Sequence, residues 1–407
     1  MRLLILSIRY APEFTSNGIV ISGLAEQLAA RGHSVTVLAG TPHYQLPAVP
    51  PGFAWRLFRR DMRAGVKVVT CWAFPKSEGK IAKFLNYASF SNTSLLAGLF
   101  TERPEVIIVV SPPFWLGLNA LLLRALRRSA VIYNVQDLFP DAYLASQEVR
   151  AGWHTRVMSG LMTLIYRGSD RITVITESFA EAIAARGIDR TKVVTIPNFV
   201  NTSAVRPLAR LNCFRRQQGL DDRFVIMYAG NIGYTHGTEL LVDAAERLST
   251  IRDLVFLVIG GGSKRADLVR LAERRRIPNM RFLPTQPSEL LPEMLATADI
   301  HILTSKPGVG ETSFPARIYN AFLAARPVVA SVDENSDLAV VLRSADAGIV
   351  TAPGNVQDFC RALTALYEDA ARRERLGRNG AEFMARHYSP QAIVAQYERL
   401  LKGLSHP

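Results

Sequence analysis

Two glycine-rich segments in the second half of the chain each follow a short apolar run and precede a helical pattern. The first spans residues 229–237, directly after the predicted strand 224–228, and the second spans residues 260–263, after the predicted strand 255–259. Loops at the carboxyl ends of parallel strands are where α/β proteins bind ligands, and glycine-rich backbone can direct N–H groups at phosphate oxygens. One such loop has an easy structural explanation. Two in one domain favour a diphosphate site, with the candidate ligands Gly230, Asn231, Gly233, His236, Gly237, Gly261 and Gly262.

A third segment, residues 306–320, carries side chains suited to neutralising a departing phosphate. Lys306 and Glu311 lie on a glycine-containing loop ahead of Pro315, which suits the first turn of a helix because its missing N–H costs nothing there. Arg317 and Asn320 are three residues apart and share one face of that helix. We predict that Arg317 offsets the charge of a leaving phosphate and that Asn320 holds a ribose hydroxyl. The alternative is that Arg317, like most single arginines on helices, has a side chain that is simply exposed to solvent.

The first half of the chain offers two further candidate segments. Asn17 and Gly18 follow the strand 3–7 and open a helix, so that backbone N–H groups could meet a phosphate or a hydroxyl. Gly18 is equally well explained as an ordinary loop glycine. Asp137 and Asp141 follow the strand 130–134 and would face a cleft if two domains closed over each other, although Asp141 could instead cap a helix.

Short apolar runs alternate with helical patterns along the whole chain, which is typical of βαβ units and parallel sheets. Each predicted strand is an almost continuous apolar run, as expected of strands covered on both faces. The pattern restarts after a polar stretch at 201–210, and 407 residues are too many for one ordinary core. We therefore predict an α/β protein with doubly wound domains at 1–200 and 201–388. A C-terminal helix within 389–407 is expected to pack back onto the first domain.

The charge of the chain indicates an anionic partner for its first half. The net charge is +13, and residues 1–200 hold 22 Lys and Arg against 13 Asp and Glu. This excess suits phosphate groups or an anionic membrane surface, whereas no helix-turn-helix, zinc or RNA-binding signature points to nucleic acid. The three cysteines are far apart, as in a reducing compartment. The N-terminal residues lack the pattern expected of a signal peptide, and the uncharged stretch 106–123 is divided by Ser111-Pro112-Pro113. We therefore expect a cytoplasmic protein.

The order of these segments resembles glycosyltransferase family 4, and it looks closest to the branch that builds bacterial exopolysaccharides such as colanic acid and O-antigen. The resemblance spans the whole chain. Its most specific parts are residues 229–233 and 314–330, with Ala298-Asp299 just upstream. It implies the GT-B fold, which consists of two facing Rossmann-like domains. It also implies that the C-terminal domain binds a nucleotide sugar, for which the motif adds Phe314, Pro315 and Ile318 as binding residues.

Several positions depart from the family pattern. The family's Arg and Lys on the diphosphate correspond to Asn231 and His236, so neutralisation would fall to Arg317, to Lys306 or to a protonated His236. Glu311 matches the family's first Glu, which contacts the donor sugar, whereas the second Glu corresponds to Asn320. A following Gly corresponds to Arg326, and the His often found in the first domain corresponds to Gln136, next to Asp137.

The resemblance implies a retaining glycosyltransferase that uses a UDP- or GDP-linked sugar as substrate and needs no cofactor. We assign catalytic roles to Arg317, Lys306, Glu311 and Asp137. We expect no metal, since no Asp-x-Asp motif lies near the proposed donor loop. The expected acceptor is a saccharide linked to polyprenyl diphosphate, in exopolysaccharide or O-antigen biosynthesis. Two alternatives remain: a nucleotide-sugar epimerase, and a non-catalytic sugar-nucleotide-binding or scaffold protein of the same fold.

A lipid-linked acceptor gives a purpose to the segment 76–100. Lys76, Lys80 and Lys83 stand beside aromatic and aliphatic residues, a composition that suits a helix lying on an anionic bilayer. The alternative is a helix that buries Phe84, Leu85 and Phe90 against its own domain, with the lysines solvated. On the first interpretation the protein is peripheral on the inner face of the cytoplasmic membrane.

Overall fold

The computed structural model of the chain describes residues 1–13, 16–43, 49–53, 56–75, 79–141, 152–199, 206–308 and 317–404. The chain divides into two compact units. The first unit comprises Met1–Phe199 and Pro390–Pro407, and the second comprises Val200–Ser389. The divisions lie within one residue of the boundaries that the sequence predicts.

A single sheet forms the centre of the first unit. Its strands, as far as the chain is described, are β1 (Arg2–Ser7), β2 (Ser34–Gly40), β3 (Phe58–Arg63), β4 (Val66–Cys71), β5 (Val106–Val110), β6 (Ala130–Val135), β7 (Arg171–Val174) and β8 (Val193–Thr195). Their order across the sheet is β3-β4-β2-β1-β5-β6-β7-β8. All neighbouring pairs are parallel except β3 and β4, which are antiparallel. The carboxyl ends of all the strands except β3 therefore meet at one edge.

Helices cover both faces of this sheet, which explains why strands such as β5 are apolar at every position. The described α-helices that precede the second unit are α1 (Ser16–Ala30), α2 (Lys80–Leu99), α3 (Leu116–Arg127), α4 (Trp153–Gly168) and α5 (Glu177–Ala184). Leu24 and Leu28 of α1 pack on one face, against Leu3 and Ile5. The helices α2 to α5 contribute to the core on the other face.

The second unit has a sheet in which all neighbouring strands are parallel. Its described strands are β9 (Phe224–Ala229), β10 (Leu254–Ile259), β11 (Met280–Leu283), β12 (Ile300–Thr304), β13 (Val328–Ser331) and β14 (Gly348–Thr351). Its described helices are α6 (Cys213–Gln217), α7 (Glu239–Arg247), α8 (Arg265–Arg274), α9 (Leu291–Ala296), α10 (Arg317–Leu323), α11 (Asp337–Ser344), α12 (Val356–Glu368) and α13 (Ala370–His387). The strand order β11-β10-β9-β12-β13-β14 is that of a doubly wound fold.

The last helix, α14 (Pro390–Lys402), belongs to the first unit, as the sequence predicts. Ile393 and Leu401 lie in the same core as α1. The buried Tyr397 hydroxyl accepts a hydrogen bond from Nδ2 of Asn134, at 3.0 Å. An ion pair between Arg31 and Glu398 adds a contact at the surface, at 2.6 Å.

Two strands are absent from the sequence prediction. The strand β3 reads Phe-Arg-Arg-Asp-Met-Arg, and none of its side chains is buried because it lies at the sheet edge. The strand β14 has four residues and is also an edge strand. In contrast, the uncharged stretch 106–123 divides as expected into β5 and α3. Among the described helices, none is long and apolar enough to cross a membrane.

Candidate active site

The topological switch point of the second unit lies between β9 and β12. These strands are neighbours, but the chain continues from β9 to β10 on one side and from β12 to β13 on the other. The connections from their carboxyl ends therefore leave to opposite sides of the sheet, and this divergence creates the crevice in which such folds bind ligands. The predicted segments 229–237 and 306–320 both begin at this point.

The two glycine-rich loops pack backbone against backbone. The Ile232 amide donates to the Gly261 carbonyl at 2.8 Å, and the Lys264 amide donates to the Ile232 carbonyl at 2.9 Å. A Cβ atom on Gly260 would lie 2.0 Å from the Gly230 carbonyl oxygen, and one on Gly262 would lie 2.4 Å from the Ile232 oxygen. Close packing therefore requires glycine at 260 and 262, where the φ angles are 141° and 135°.

Arg317 begins α10 and extends over the end of β9. Its Nη1 donates to the hydroxyl of Tyr228 at 2.5 Å, and its Nη2 lies 3.4 Å from the Thr304 carbonyl oxygen. The guanidinium carbon stands 4.8 Å from the centre of the Tyr228 ring, a cation–π arrangement. A Cβ atom on Gly230 would approach the Arg317 side chain to 3.2 Å, so glycine at 230 leaves room for it. The structure thus brings Arg317 and the 230–237 loop together, as the sequence predicts.

His236 lies beside Arg317 and is neutral at physiological pH. Burial, and then the positive charge of Arg317, lower the pKa of His236 to about 4. The Gly233 amide donates to Nδ1 of His236 at 3.3 Å, so the neutral ring carries its proton on Nε2. The neutral ring is a neighbour of the fixed charge on Arg317, and a protonated His236 on the diphosphate stays a prediction.

The loop after β12 is attached to the loop after β9. The Thr304 hydroxyl donates to the His236 carbonyl at 2.6 Å, and the Lys306 amide donates to the Thr235 carbonyl at 2.9 Å. Gly237 has a φ of 57°, and a Cβ atom there would lie 3.2 Å from the Ser305 backbone. These bonds hold the two loops in one arrangement at the switch point.

The remaining predicted residues of this unit fall into three groups. Lys306 and Asn231 have exposed side chains, and Asn320 is half-buried one turn after Arg317. The side chain of Ile318 is fully buried in the hydrophobic core, so it stabilises α10 and is not available to a ligand. Glu311, Phe314 and Pro315 lie outside the described residues.

Two buried polar atoms at the switch point find no hydrogen-bond partner among the described residues. They are Nε of Arg317 and the hydroxyl oxygen of Ser305. Buried polar groups are normally bonded, and each orphan costs roughly 1–3 kcal/mol. A ligand with several acceptor oxygens suits both atoms. Sequence reasoning missed Tyr228, Thr304 and Ser305, although each stands at or next to the carboxyl end of a predicted strand.

In the first unit, the predicted residues lie at the carboxyl edge of the sheet. Asn17 is half-buried in the first turn of α1, and Gly18 is buried. The Asp137 side chain reaches solvent but is crowded by surrounding protein. This crowding raises its pKa, and the positive charge of Lys83 partly opposes the rise. Asp141 forms an ion pair with Arg186.

A buried polar cluster at the same edge was not predicted. Glu13, whose side chain is almost fully buried, accepts from Arg9 at 3.1 Å and from the His43 amide at 2.6 Å. Nδ1 of His43 contacts the Thr41 carbonyl at 2.8 Å, and its Nε2 lies 3.4 Å from Nδ2 of Asn86. Burial lowers the pKa of His43. The cluster connects the segments that follow β1 and β2 to α2.

Two family models match the chain. Residues 18–198 match the glycosyl transferase 4-like domain, and residues 213–383 match glycosyl transferases group 1. The chain belongs to glycosyltransferase family 4. The doubly wound units and the structural relatives below agree with the GT-B fold.

This glycosyltransferase has relatives in bacterial polysaccharide synthesis. It is 28% identical over 348 residues to the putative colanic acid biosynthesis glycosyl transferase WcaI of Escherichia coli K12, covering 83% of this chain and 85% of WcaI. It is 24% identical to the lipopolysaccharide core biosynthesis glycosyltransferase LpsE of Rhizobium meliloti, covering 91% and 93% of the two chains. Its fold matches the crystal structure of Anabaena HepE in complex with UDP, with a TM-score of 0.72, 15% identity and coverage of 99% and 100%.

Among the described residues of the glycosyltransferase, no group of three or more His, Cys, Asp and Glu side chains is arranged to hold a metal ion. Gln136, which the resemblance places at a His position of the family, is buried and is oriented by the side-chain amides of two asparagines. Its Nε2 donates to Asn134 at 2.6 Å, and its Oε1 accepts from Asn198 at 2.7 Å.

Proposed function

We propose that the protein transfers a sugar, with retention of configuration, from a UDP- or GDP-linked donor to a saccharide acceptor. The observation that carries the proposal is the side chain of Arg317 at the switch point, with its Nε unpartnered among the described residues. The fold of HepE, whose structure contains UDP, supports a nucleotide donor in a fold of this kind.

Electrostatics favour a diphosphate as the group bound at this point. As the bond to the anomeric carbon breaks, negative charge develops on the leaving diphosphate. A fixed guanidinium in a partly buried site stabilises that charge more than water does. Arg317 supplies this charge, and the exposed ammonium of Lys306 lies on the loop attached beside it. Because these groups neutralise phosphate themselves, we propose that transfer needs no metal ion.

We further propose a role in exopolysaccharide or O-antigen assembly, with an acceptor carried on polyprenyl diphosphate. The names of WcaI and LpsE support the type of polysaccharide. The surface of the first unit supports a lipid-linked acceptor. The helix α3 packs beside both α2 and α4, so the three helices together form one surface. The three helices contain no Asp or Glu.

The outer surface of α2, α3 and α4 combines apolar and basic side chains. Phe90 is buried in the core, so the interpretation of α2 as a self-packed helix holds for that residue. Phe84 and Leu85 are 58% and 43% exposed, which that interpretation does not explain. The other exposed apolar side chains on these helices are Ile81, Leu96, Leu122, Leu126, Trp153, Val157 and Leu164. Such a surface suits an anionic bilayer, and the protein would then act at the cytoplasmic face of the membrane.

The test is a panel of UDP- and GDP-sugars, each incubated with synthetic polyprenyl-diphosphate saccharides and followed by mass spectrometry. Transfer to an acceptor, with Arg317→Ala strongly impaired on the same donor, is the expected result. The anomeric configuration of the product, read by NMR, tests retention. An isomerised donor would indicate an epimerase, and nucleotide binding without turnover on any acceptor would indicate a non-catalytic protein.

A further inference from the structure

Tyr228 occupies a position between the two parts of the proposed donor site. It is the fifth residue of β9, its side chain is buried, and its hydroxyl lies between Arg317 and the 230–237 loop. We propose that Tyr228 is a positioning residue that holds the Arg317 guanidinium and the glycine loop in one arrangement for the diphosphate. This inference rests on the proposed function and assigns a role to a residue outside the family motifs.

The hydrogen bonds of the hydroxyl have defined directions. Tyr228 has one proton to donate, and it donates this proton to the Asn231 carbonyl at 2.7 Å. The bond from Nη1 of Arg317 is therefore accepted by a lone pair on the same oxygen. Burial raises the pKa of Tyr228, so the hydroxyl remains a donor at physiological pH. One oxygen thus connects a charged side chain to the backbone of the loop.

The ring of Tyr228 adds a second contact to the same guanidinium. With the arginine carbon 4.8 Å from the ring centre, the cation lies within the range of a cation–π interaction. Both contacts use the Nη1 end and the face of the guanidinium. They leave the edge formed by Nε and Nη2 for a ligand, and this edge can donate two parallel hydrogen bonds to two oxygens of a phosphate. Nε has no partner among the described residues, and Nη2 has only the long contact to Thr304.

The surrounding residues restrict where Arg317 can lie. Gly230 has no side chain to displace it, and the partly buried His236 ring is near enough for the arginine charge to lower its pKa. Because His236 is neutral, it does not repel Arg317. The hydroxyl of Tyr228 is therefore the contact that decides the direction of the free edge.

A double-mutant cycle tests the proposal. The variants are Tyr228→Phe, Arg317→Ala and the double variant, and the matched control is Tyr133→Phe. Tyr133 is also a buried strand tyrosine, and its hydroxyl donates to the Phe114 carbonyl at 2.9 Å. On a donor verified with the wild type, Tyr228→Phe is expected to lower kcat about tenfold, as loss of a hydrogen bond to a charged group predicts. It should add no further loss in the Arg317→Ala background, and Tyr133→Phe should retain wild-type turnover. Equal losses in both backgrounds, or wild-type kcat in Tyr228→Phe, would overturn the proposal.

A second readout does not depend on turnover. Because Arg317 lowers the pKa of His236, releasing the guanidinium should raise the pKa of that imidazole, as measured by NMR titration of labelled histidine. We expect a rise in Tyr228→Phe and in Arg317→Ala, and no further rise in the double variant. An unchanged His236 titration in Tyr228→Phe would count against the positioning role even if no donor were turned over. A wild type that neither binds nor uses any UDP or GDP donor would refute the proposed function instead.

Discussion

An arginine lies at the carboxyl edge of each of the two sheets, but the groups that contact the two arginines differ in charge. In the first unit, Arg9 forms an ion pair with the buried carboxylate of Glu13, which also accepts a hydrogen bond from the His43 amide. In the second unit, the described contacts of Arg317 are with the Tyr228 hydroxyl and ring and the Thr304 carbonyl, all uncharged. An arginine that pairs with a carboxylate is neutralised and stabilises the loops around it. An arginine that is bonded to uncharged groups retains a net positive charge that can attract an anionic ligand.

This difference predicts opposite consequences for removing charge from each unit. Loss of charge from the Arg9–Glu13 pair should affect stability more than chemistry. Loss of the Arg317 charge should affect chemistry more than stability.

The largest expected effect follows from Arg317→Ala. Removing a fixed charge from the leaving group should lower kcat about 100-fold or more, by analogy with the loss of one transition-state donor. The melting temperature should change little, because Arg317 is only half-buried. The matched control is Arg275→Ala, which removes the same charge from the surface of the same unit. Turnover like that of the wild type in Arg317→Ala would remove this residue from the mechanism.

The second prediction concerns Glu13→Ala. It removes the carboxylate that pairs with Arg9, whose side chain is 13% exposed, and breaking such a pair costs about 3 kcal/mol. We expect the calorimetric transition of the first unit to move to lower temperature. The affinity of the second unit for UDP or GDP should stay the same. A loss of nucleotide affinity without a loss of stability would contradict the contrast between the two edges.

Acid should destabilise the second unit through His236 and His301. Burial, and then Arg317, lower the pKa of His236, and burial lowers that of His301; both values are about 4. Unfolded imidazole takes up a proton near pH 6.5, whereas the folded groups do so only near pH 4. Stability is therefore lost as pH falls from 6.5 to 4, by up to about 1.4 kcal/mol per pH unit for each group. In His301→Gln, the fall in melting temperature between pH 7 and pH 5 should be smaller than in the wild type. A fall equal to that of the wild type would show that His301 does not contribute to the acid destabilisation.

A smaller effect is expected for membrane binding by the first unit. Changing Lys76, Lys80 and Lys83 to Glu should weaken sedimentation with anionic vesicles at low salt, since each basic residue contributes about 1 kcal/mol near such a surface. The same charge change at Arg270, Arg274 and Arg276 of the second unit is the control, and it should have little effect. Equal binding to neutral and anionic vesicles, or binding to neither, would contradict the role of this surface.

Removal of metal is expected to have the least effect. Turnover should survive EDTA, because Arg317 and Lys306 are proposed to neutralise the diphosphate in place of a cation. Complete loss of activity in EDTA that added Mg²⁺ restores would show that the diphosphate is bound through a metal.

The order of the elements and the loops that carry the candidate site follow from the amino-acid pattern alone. Runs such as Val106–Val110 are apolar at every position, so they predict strands covered on both faces without any tertiary information. Because parallel strands place their carboxyl ends together, the segments 229–237 and 306–320 were predicted to converge, and their described residues do. Charged or short edge strands such as β3 are not predictable from the sequence. They are stabilised by backbone pairing with a neighbouring strand, which leaves no pattern in their side chains.

In contrast, the contacts between side chains and the effects of their surroundings depend on the tertiary fold. In the sequence, nothing distinguishes Tyr228 from the other residues of its apolar run. The fold shows that its hydroxyl contacts Arg317. The pKa of His236 depends on burial and on a charge 81 positions away in the sequence, which no local pattern contains. Likewise, Gly262 reads as a phosphate ligand from the sequence, but close backbone packing already requires glycine there, as it does at Gly260. Composition and periodicity determine elements, whereas charge, hydrogen bonding and burial at a site depend on contacts between residues that are distant along the chain.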